Sequence, residues 1–155
     1  MRKRILTPAI LSLSLLATSP AEAAGSPLEG RYSEACTKYV NLARKVGWPK
    51  SDRWMLRLVL HRESRCQPTS IGRNRNTKGE VTSQDWGLLQ INDVSWVRYL
   101  RDLGIIKDRE DLLNPRINLT AALALRTYSV ERGLSPWYQW RTSSPNGSAG
   151  SVVSP

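Results

Sequence analysis

Trp54-Met55-Leu56-Arg57-Leu58-Val59-Leu60-His61-Arg62-Glu63-Ser64 reads as a helix, apolar almost all round as far as Leu60, that carries a carboxylic acid at its C-terminal end. Ser51 stands before it as an N-cap, after a break at Pro49. A helix with so little polar face belongs inside a domain rather than on its surface. Glu63 would then feel two effects of the same sign: desolvation disfavours the carboxylate, and the negative end of the helix dipole repels it. An acid kept protonated is what glycosidic cleavage requires, because the leaving sugar oxygen takes up a proton as its bond breaks. From position alone, a surface ion pair with Arg62 or Arg65 accounts for Glu63 equally well.

Upstream, Ser33 to Val46 has helical periodicity, with Cys36, Tyr39, Val40, Leu42 and Ala43 on or near one face and Gly47 to close it. Downstream, Gln67 to Gln84 turns polar and predicts a small hairpin about Lys78-Gly79. Trp86 to Asn92 is apolar again, and Val94 to Leu103 predicts a short helix before Gly104. Asn114-Pro115, an N-cap followed by proline in the first turn, opens a long helix to about Arg132, which Gly133 ends. The aromatic segment Pro136-Trp137-Tyr138-Gln139-Trp140 should return to the core or to a cleft wall. Thr142 to Pro155 is rich in Ser, Gly and Pro and is expected to be disordered. There is no internal repeat.

A chain of 155 residues accommodates one domain with short extensions. Residues 1–23 read as a secretory signal peptide: Arg2, Lys3 and Arg4, a mostly apolar run from Ile5 to Ala17, and the small-x-small site Ala21-Glu22-Ala23. An uncleaved anchor is the alternative, but Pro8, the serines and Pro20 leave the run short of the roughly 20 apolar residues that span a bilayer. No later stretch is long enough either, so no stable membrane insertion is expected. The formal charge is +10, and removal of the signal, with three basic residues and Glu22, leaves +8. For an exported protein that charge suits anionic cell-wall polymers better than nucleic acid, although it would also serve solubility alone. Cys36 and Cys66 are the only cysteines, and in an oxidising compartment one disulfide is expected over two free thiols. The closed loop would stabilise the fold by about 4 kcal/mol on the chain-entropy model. His61 is the only histidine, and with two distant cysteines it lacks metal-ligand spacing.

After Glu63-Ser64 come Asn74-Arg75-Asn76-Thr77-Lys78-Gly79 and then Ser83-Gln84-Asp85-Trp86-Gly87-Leu88-Leu89-Gln90-Ile91-Asn92. This succession closely resembles the active-site region of the animal (chicken-type) lysozymes, where a helix-terminal Glu precedes an Asn-Arg-Asn-Thr-x-Gly turn and an Asp-aromatic-Gly-apolar-Leu-Gln-Ile-Asn strand. The resemblance implies Glu63 as acid and Asp85 as second carboxylate. Glu63-Ser64 with the later Gly-Leu-x-Gln also resembles the bacterial lytic transglycosylases of the same superfamily, whose helix Glu works without a partner Asp. The helix opened by Asn114-Pro115 and the aromatic tail resemble that group too, and the likeness runs from about Ser33 to Trp140. The chain departs from the animal pattern in three ways. It can form one disulfide rather than four, Ser95-Trp96 supplies only the second of two adjacent tryptophans, and 22 positions separate Glu63 from Asp85, which implies a longer loop.

The resemblance implies a mainly α (α+β) lysozyme-like domain over residues 24–141 with a small β-hairpin. It further implies a secreted muramidase, hydrolase or lytic transglycosylase, acting on the MurNAc–GlcNAc β-1,4 bond of peptidoglycan. A carboxyl separation of about 5–5.5 Å would suit Asp85 as nucleophile, and about 6.5–9.5 Å would leave room for a water. Without a working Asp85, attack by the sugar's own hydroxyl would give an anhydro product. Asp85 also reads as a turn residue or cap at the start of its strand. Gln90 and Asn92 become candidate sugar contacts, with strand hydrogen bonding as the alternative. Of Trp96, Trp137 and Trp140, Trp96 is assigned to the cleft and Trp137 to its wall, although tryptophans in so small a chain commonly belong to the core. Asn118-Leu119-Thr120 matches a glycosylation acceptor, but inside a predicted helix it is set aside. No cofactor is implied, no nucleic-acid partner is expected, and a monomer is expected. The competing reading is a catalytically silent peptidoglycan-binding or inhibitor protein on the same scaffold.

Overall fold

The computed structural model describes residues 34–141, so the expected signal peptide and C-terminal tail lie outside the described residues. Helix α1 (Glu34–Lys45) buries Cys36, Tyr39, Val40 and Ala43, the stripe expected from the periodicity. Gly47, at φ +102°, turns the chain out of it. A 3-10 turn (Lys50–Asp52) then leads into α2 (Arg53–Ser64).

Two expectations for α2 need correction. Ser51 is not its N-cap: it lies inside the 3-10 turn, Asp52 holds the cap position without capping through its side chain, and the Asp52 carboxylate pairs with Arg126 instead. Nor is the helix buried all round. Leu56, Val59, Leu60 and Ser64 are buried, but Arg53 and Trp54 are exposed, and Arg57 reaches out to Thr37 of α1. Two arginines one turn apart hold that stripe at the surface, since an unpaired guanidinium is costly to bury.

The disulfide joins Cys36 of α1 to Cys66, just beyond α2, across 30 residues with the Cα atoms 5.3 Å apart. It fixes the exit from α2, where Arg65 and Cys66 both take positive φ (52° and 61°) and their N–H groups bond back to His61 and Leu60.

Three antiparallel strands follow in the order β1 (Ile71–Arg75), β2 (Val81–Trp86) and β3 (Ile91–Asn92). The expected hairpin is β1–β2, with Asn76 Oδ1 accepting from the N–H groups of Lys78 and Glu80 in its turn. The run from Asp85 to Asn92, expected as one strand, is two strands folded back on each other, with Asp85 opposite Asn92 and Trp86 opposite Ile91. The reversal uses positive φ at Gly87 (75°) and Gln90 (45°). A Cβ at residue 87 would strike the Leu112 carbonyl and the Asn118 amide, so only glycine fits there.

Helix α3 (Asp93–Asp102) follows at once, with Asn92 Oδ1 accepting from Ser95 N as its N-cap. A second 3-10 turn (Arg109–Leu113) precedes α4 (Pro115–Glu131), whose cap is the expected Asn114, bonded to the N–H groups of Arg116 and Ile117. Leu119, Ala121, Ala122 and Leu125 of α4 meet Leu56 and Leu60 of α2 and Leu88, Leu89 and Ile91 of the sheet region in one core. Each large aliphatic side chain there contributes roughly 1.5–3 kcal/mol by leaving water. Gly133 ends α4, and a last 3-10 turn (Tyr138–Trp140) brings Trp140 into the core. The architecture is mainly helical with one small sheet and one disulfide, a lysozyme-like arrangement as expected.

Candidate active site

A cleft of about 440 Å³ opens where the C-terminal end of α2, the strands β2 and β3, the start of α3 and the Trp140 segment converge. That volume lies within the range of small-ligand sites. Arg62, Glu63, Asp85, Gln90, Asn92, Trp96, Gln139, Trp140 and Arg141 are among its lining residues. Five of the expected site residues (Glu63, Asp85, Gln90, Asn92 and Trp96) therefore share one cavity although they come from separate elements.

Glu63 is held at the cleft by its neighbour. Ser64 is buried and its hydroxyl donates to the carbonyl of Leu60 within α2 (3.2 Å) and to that of Leu88 in the β2–β3 turn (2.8 Å). The Glu-Ser pair thus locks the end of the helix onto the turn that carries the other site residues. The Glu63 side chain keeps 23 % of its surface exposed, and its Oε1 accepts from Arg62 Nε (2.9 Å) and Nη2 (2.6 Å). Arg62 also donates to the Trp140 carbonyl, tying α2 to the aromatic segment. Glu63 thus lines the cleft and pairs with Arg62 in the same geometry.

Asp85 sits in a polar square. Its Oδ2 accepts from Asn74 Nδ2 (2.9 Å) and its Oδ1 from Asn92 Nδ2 (2.8 Å), and the same two amides each reach Ser83 Oγ at 3.0 Å. The sheet register produces this, since Asn74 faces Ser83 and Asp85 faces Asn92 across adjacent strands. Both donors are neutral amides, and among the described residues Asp85 makes no ion pair. Gly72 opposite Asp85 gives Gln90 its room, because a Cβ there would lie 2.8 Å from Gln90 Oε1. Gln90 donates from Nε2 to the carbonyls of Ser70 and Gly87, which commits its amide nitrogen to the turn and leaves its oxygen side toward Gly72.

Asp93 is the anchor next door. Burial pushes its carboxyl up, but the N–H groups of Gln84 and Val94, the adjacent Trp86 indole and Arg109 outweigh that and hold it below the ordinary carboxylate range. It pins β2 to the start of α3 and so keeps Asn92 in register with Asp85.

The aromatic residues divide differently from expectation. Trp96 lines the cleft and is braced edge-on by Tyr128 (5.2 Å between ring centroids) and Tyr99 (6.0 Å). Trp140, not Trp137, lines the wall, with its Nε1 donating to the Leu89 carbonyl at 2.8 Å. Trp137 stacks on Trp48 at 5.6 Å and packs against Trp140 at 5.9 Å, behind the lining residue. The sequence reading also missed Asn118. Fully buried on α4, it donates to the carbonyls of Trp86 and Leu112 (both 2.9 Å) and accepts from Leu89 N (3.0 Å), gripping the β2–β3 turn from behind. Apart from the acceptor tripeptide set aside above, its sequence signal was a polar residue among apolar ones in a predicted helix. Arg62, Gln139 and Arg141 are further lining residues that the sequence reading did not assign to the cleft. Among the described residues, no group of three or more His, Cys, Asp or Glu could hold a metal ion, and no helix is long and apolar enough to cross a membrane.

The family model described as "Transglycosylase SLT domain" matches residues 44–140, a span that contains every lining residue of this cleft except Arg141. The chain belongs to the transglycosylase SLT domain family. Two curated relatives from Escherichia coli are similar over 58 residues of it. One, from O157:H7, is named "Peptidoglycan-binding-like protein" and is 47 % identical over 37 % of this chain and 34 % of its own length. The other, from K12, is named "Putative peptidoglycan-binding-like protein" and is 43 % identical over 37 % of this chain and 36 % of its own length. The chain thus spans about a third of the length of these relatives. No solved structure matches it significantly. Within the SLT domain, the matched span runs from the end of α1 through the locked Glu63-Ser64 corner to Trp140.

Proposed function

We propose that this SLT domain is an enzyme that acts outside the cytoplasm on peptidoglycan glycan strands, breaking the MurNAc–GlcNAc β-1,4 bond with Glu63 as general acid. The observation that carries the reading is the convergence of Glu63, at the end of α2, with the tethered Asp85 in one cleft of sugar-binding size. Family membership supports it. Glu63 gives its proton to the glycosidic oxygen as the bond to C1 of MurNAc breaks, and positive charge develops on that sugar. In the transglycosylase course, which the family favours, the Glu63 carboxylate then removes the proton of the MurNAc C6 hydroxyl. That oxygen closes on C1, giving a 1,6-anhydro end and restoring the acid. Asp85 faces the same cavity as a fixed negative charge that would stabilise the cationic sugar. A hydrolytic course has its own support in Asp85, because an oriented carboxylate is what a water or a covalent sugar intermediate needs, and the product would then be a reducing end. Export is supported by the Cys36–Cys66 disulfide, a bond typical of oxidising compartments.

The names of the two E. coli relatives favour a second reading, in which the cleft binds glycan without cutting it, and the Arg62–Glu63 pair is compatible with that. Digestion of purified peptidoglycan by the protein, Glu63→Gln and Asp85→Asn, with products identified by mass spectrometry, separates these readings. Release of muropeptides that falls about 10²- to 10⁴-fold in Glu63→Gln is expected. Anhydro ends that persist in Asp85→Asn identify the transglycosylase course, and reducing ends lost in both variants identify hydrolysis. Binding to sacculi with no product from any form overturns the enzymatic reading.

A further inference from the structure

The cleft has an electrical polarity that the bond-breaking chemistry does not use. Asp85 and its amides stand on the sheet side, while Arg62 and Arg141 stand at the Trp140 end. The two arginines are built around the same residue: Arg62 donates to the Trp140 carbonyl, and Arg141 follows Trp140 directly. Arg141 is held in place by its Nε bond to the Tyr138 carbonyl (3.3 Å) and by the Tyr138 ring, whose centroid is 3.6 Å from its guanidinium carbon. The charge of Arg62 is met by Glu63, whereas among the described residues Arg141 makes no ion pair. A neutral sugar gives a fixed guanidinium no anion to bind, and the planar fork of arginine is matched to carboxylates and phosphates.

In a peptidoglycan strand the two sugars differ in this respect. GlcNAc is neutral, whereas MurNAc carries a lactyl arm that ends in a carboxylate when bare and in a carboxylate-bearing stem peptide when substituted. We infer that Arg141 forms a carboxylate-binding subsite at the Trp140 end of the cleft, one that selects MurNAc over GlcNAc there through the acid on its lactyl arm. The subsite would fix the register of the strand against Glu63, and so decide which of the two alternating linkages is presented to the acid. This rests on the proposed peptidoglycan function and adds to it the group that is recognised.

The test compares kcat/KM on three soluble glycan preparations: strands with stem peptides, strands stripped to the free lactyl carboxylate, and stripped strands whose lactyl carboxylates are converted to neutral methyl amides. The unaltered protein should favour at least one acidic preparation over the neutral one by about tenfold, mainly through KM, as expected for losing a charge-assisted hydrogen bond. Preference for the stripped acid identifies the lactyl carboxylate as the ligand, and preference for peptide-bearing strands alone identifies the stem peptide. In Arg141→Gln that ratio should collapse toward one, Arg141→Lys should keep part of it, and Arg44→Gln, on the exposed end of α1 away from the cleft, should keep all of it. Equal rates on all three preparations, or equal loss of preference in Arg44→Gln and Arg141→Gln, overturn the subsite and leave the enzymatic reading standing. If no preparation is cleaved, the enzymatic reading fails, and calorimetric binding of the same three glycans to the same variants decides the subsite by the same ratios.

Discussion

Replacing Asn118 with leucine should be strongly destabilising, because of what its amide does for the backbone. The side chain is fully buried and meets three main-chain groups: the carbonyls of Trp86 and Leu112, each 2.9 Å from Nδ2, and the N–H of Leu89, 3.0 Å from Oδ1. Leucine has the same branched outline but is larger, so no cavity opens and some overpacking is added, while all three groups lose their partner in a place without water. A buried polar group left unpaired costs about 1–3 kcal/mol, so even with partial relaxation the sum is about 3–6 kcal/mol. That is a large part of the 5–15 kcal/mol that holds a typical domain folded. At roughly 4 °C per kcal/mol the thermal midpoint should fall by at least about 12 °C. Urea unfolding followed by tryptophan fluorescence measures the loss. Asn114→Ala serves as the internal reference, since removal of the α4 cap alone should cost about 1 kcal/mol. A loss in Asn118→Leu no greater than in Asn114→Ala would refute the claim that this amide holds the turn. Activity should fall with it even below the melting temperature, because the turn positions Gln90 and, through β3, Asn92.

Gly87→Ala should destabilise by about 2–4 kcal/mol, since it forces a Cβ into the Leu112 carbonyl and the Asn118 amide at φ +75°; an unchanged urea midpoint would show that the turn can relax. Cys36→Ser combined with Cys66→Ser should lose about 4 kcal/mol, and reductant should lower the melting temperature of the native protein but not of the double variant. Asp93 sits below its ordinary value of 3.8, so the stability it contributes is complete above that pH and is lost as the pH falls through its lower folded value. The stability difference between the protein and Asp93→Asn should therefore be constant from pH 7 to about 5 and shrink below about pH 4; a difference that stays level down to pH 2.5 counts against the assignment.

What could be read from the sequence was what is encoded locally. Asn114-Pro115 and Gly133 bracket α4 because capping, a proline in the first turn and a left-handed terminator act within a few residues of themselves. The disulfide followed from having two cysteines and one pairing. The interior of α2 was misjudged because counting apolar residues gives no weight to the position of Arg53 and Arg57 on one stripe, and that stripe fixes which side faces water. The fold-back between Asp85 and Asn92 had only Gly87 to announce it, since Gln90 at positive φ carries no residue-type signal and is held there by its own bonds to Ser70 and Gly87.

The site shows the same division, with a consequence for how its residues are ranked. Glu63 and Asp85 were singled out because their neighbours in sequence form a motif, whereas the contacts around them are made by the fold: Leu88 with Ser64, Asn74 with Asp85, Trp140 with Arg62 and Asn118 with the turn. Each of these is a polar side chain or a main-chain carbonyl whose contact is set only when the fold places it. Trp137 and Trp140 make the point within four residues, since the 3-10 turn that starts at Tyr138 swings Trp140 to the cleft and leaves Trp137 stacked on Trp48. Candidates for the acid and its counterpart can thus be named from a motif. The side chains that orient Asp85 and hold the turn are Asn74, Asn92 and Asn118, three amides close to aspartate in size. Conversion of any of them to aspartate would keep size and shape while removing a donor and adding a charge, and the pattern of damage across the three would separate support of Asp85 from support of the turn.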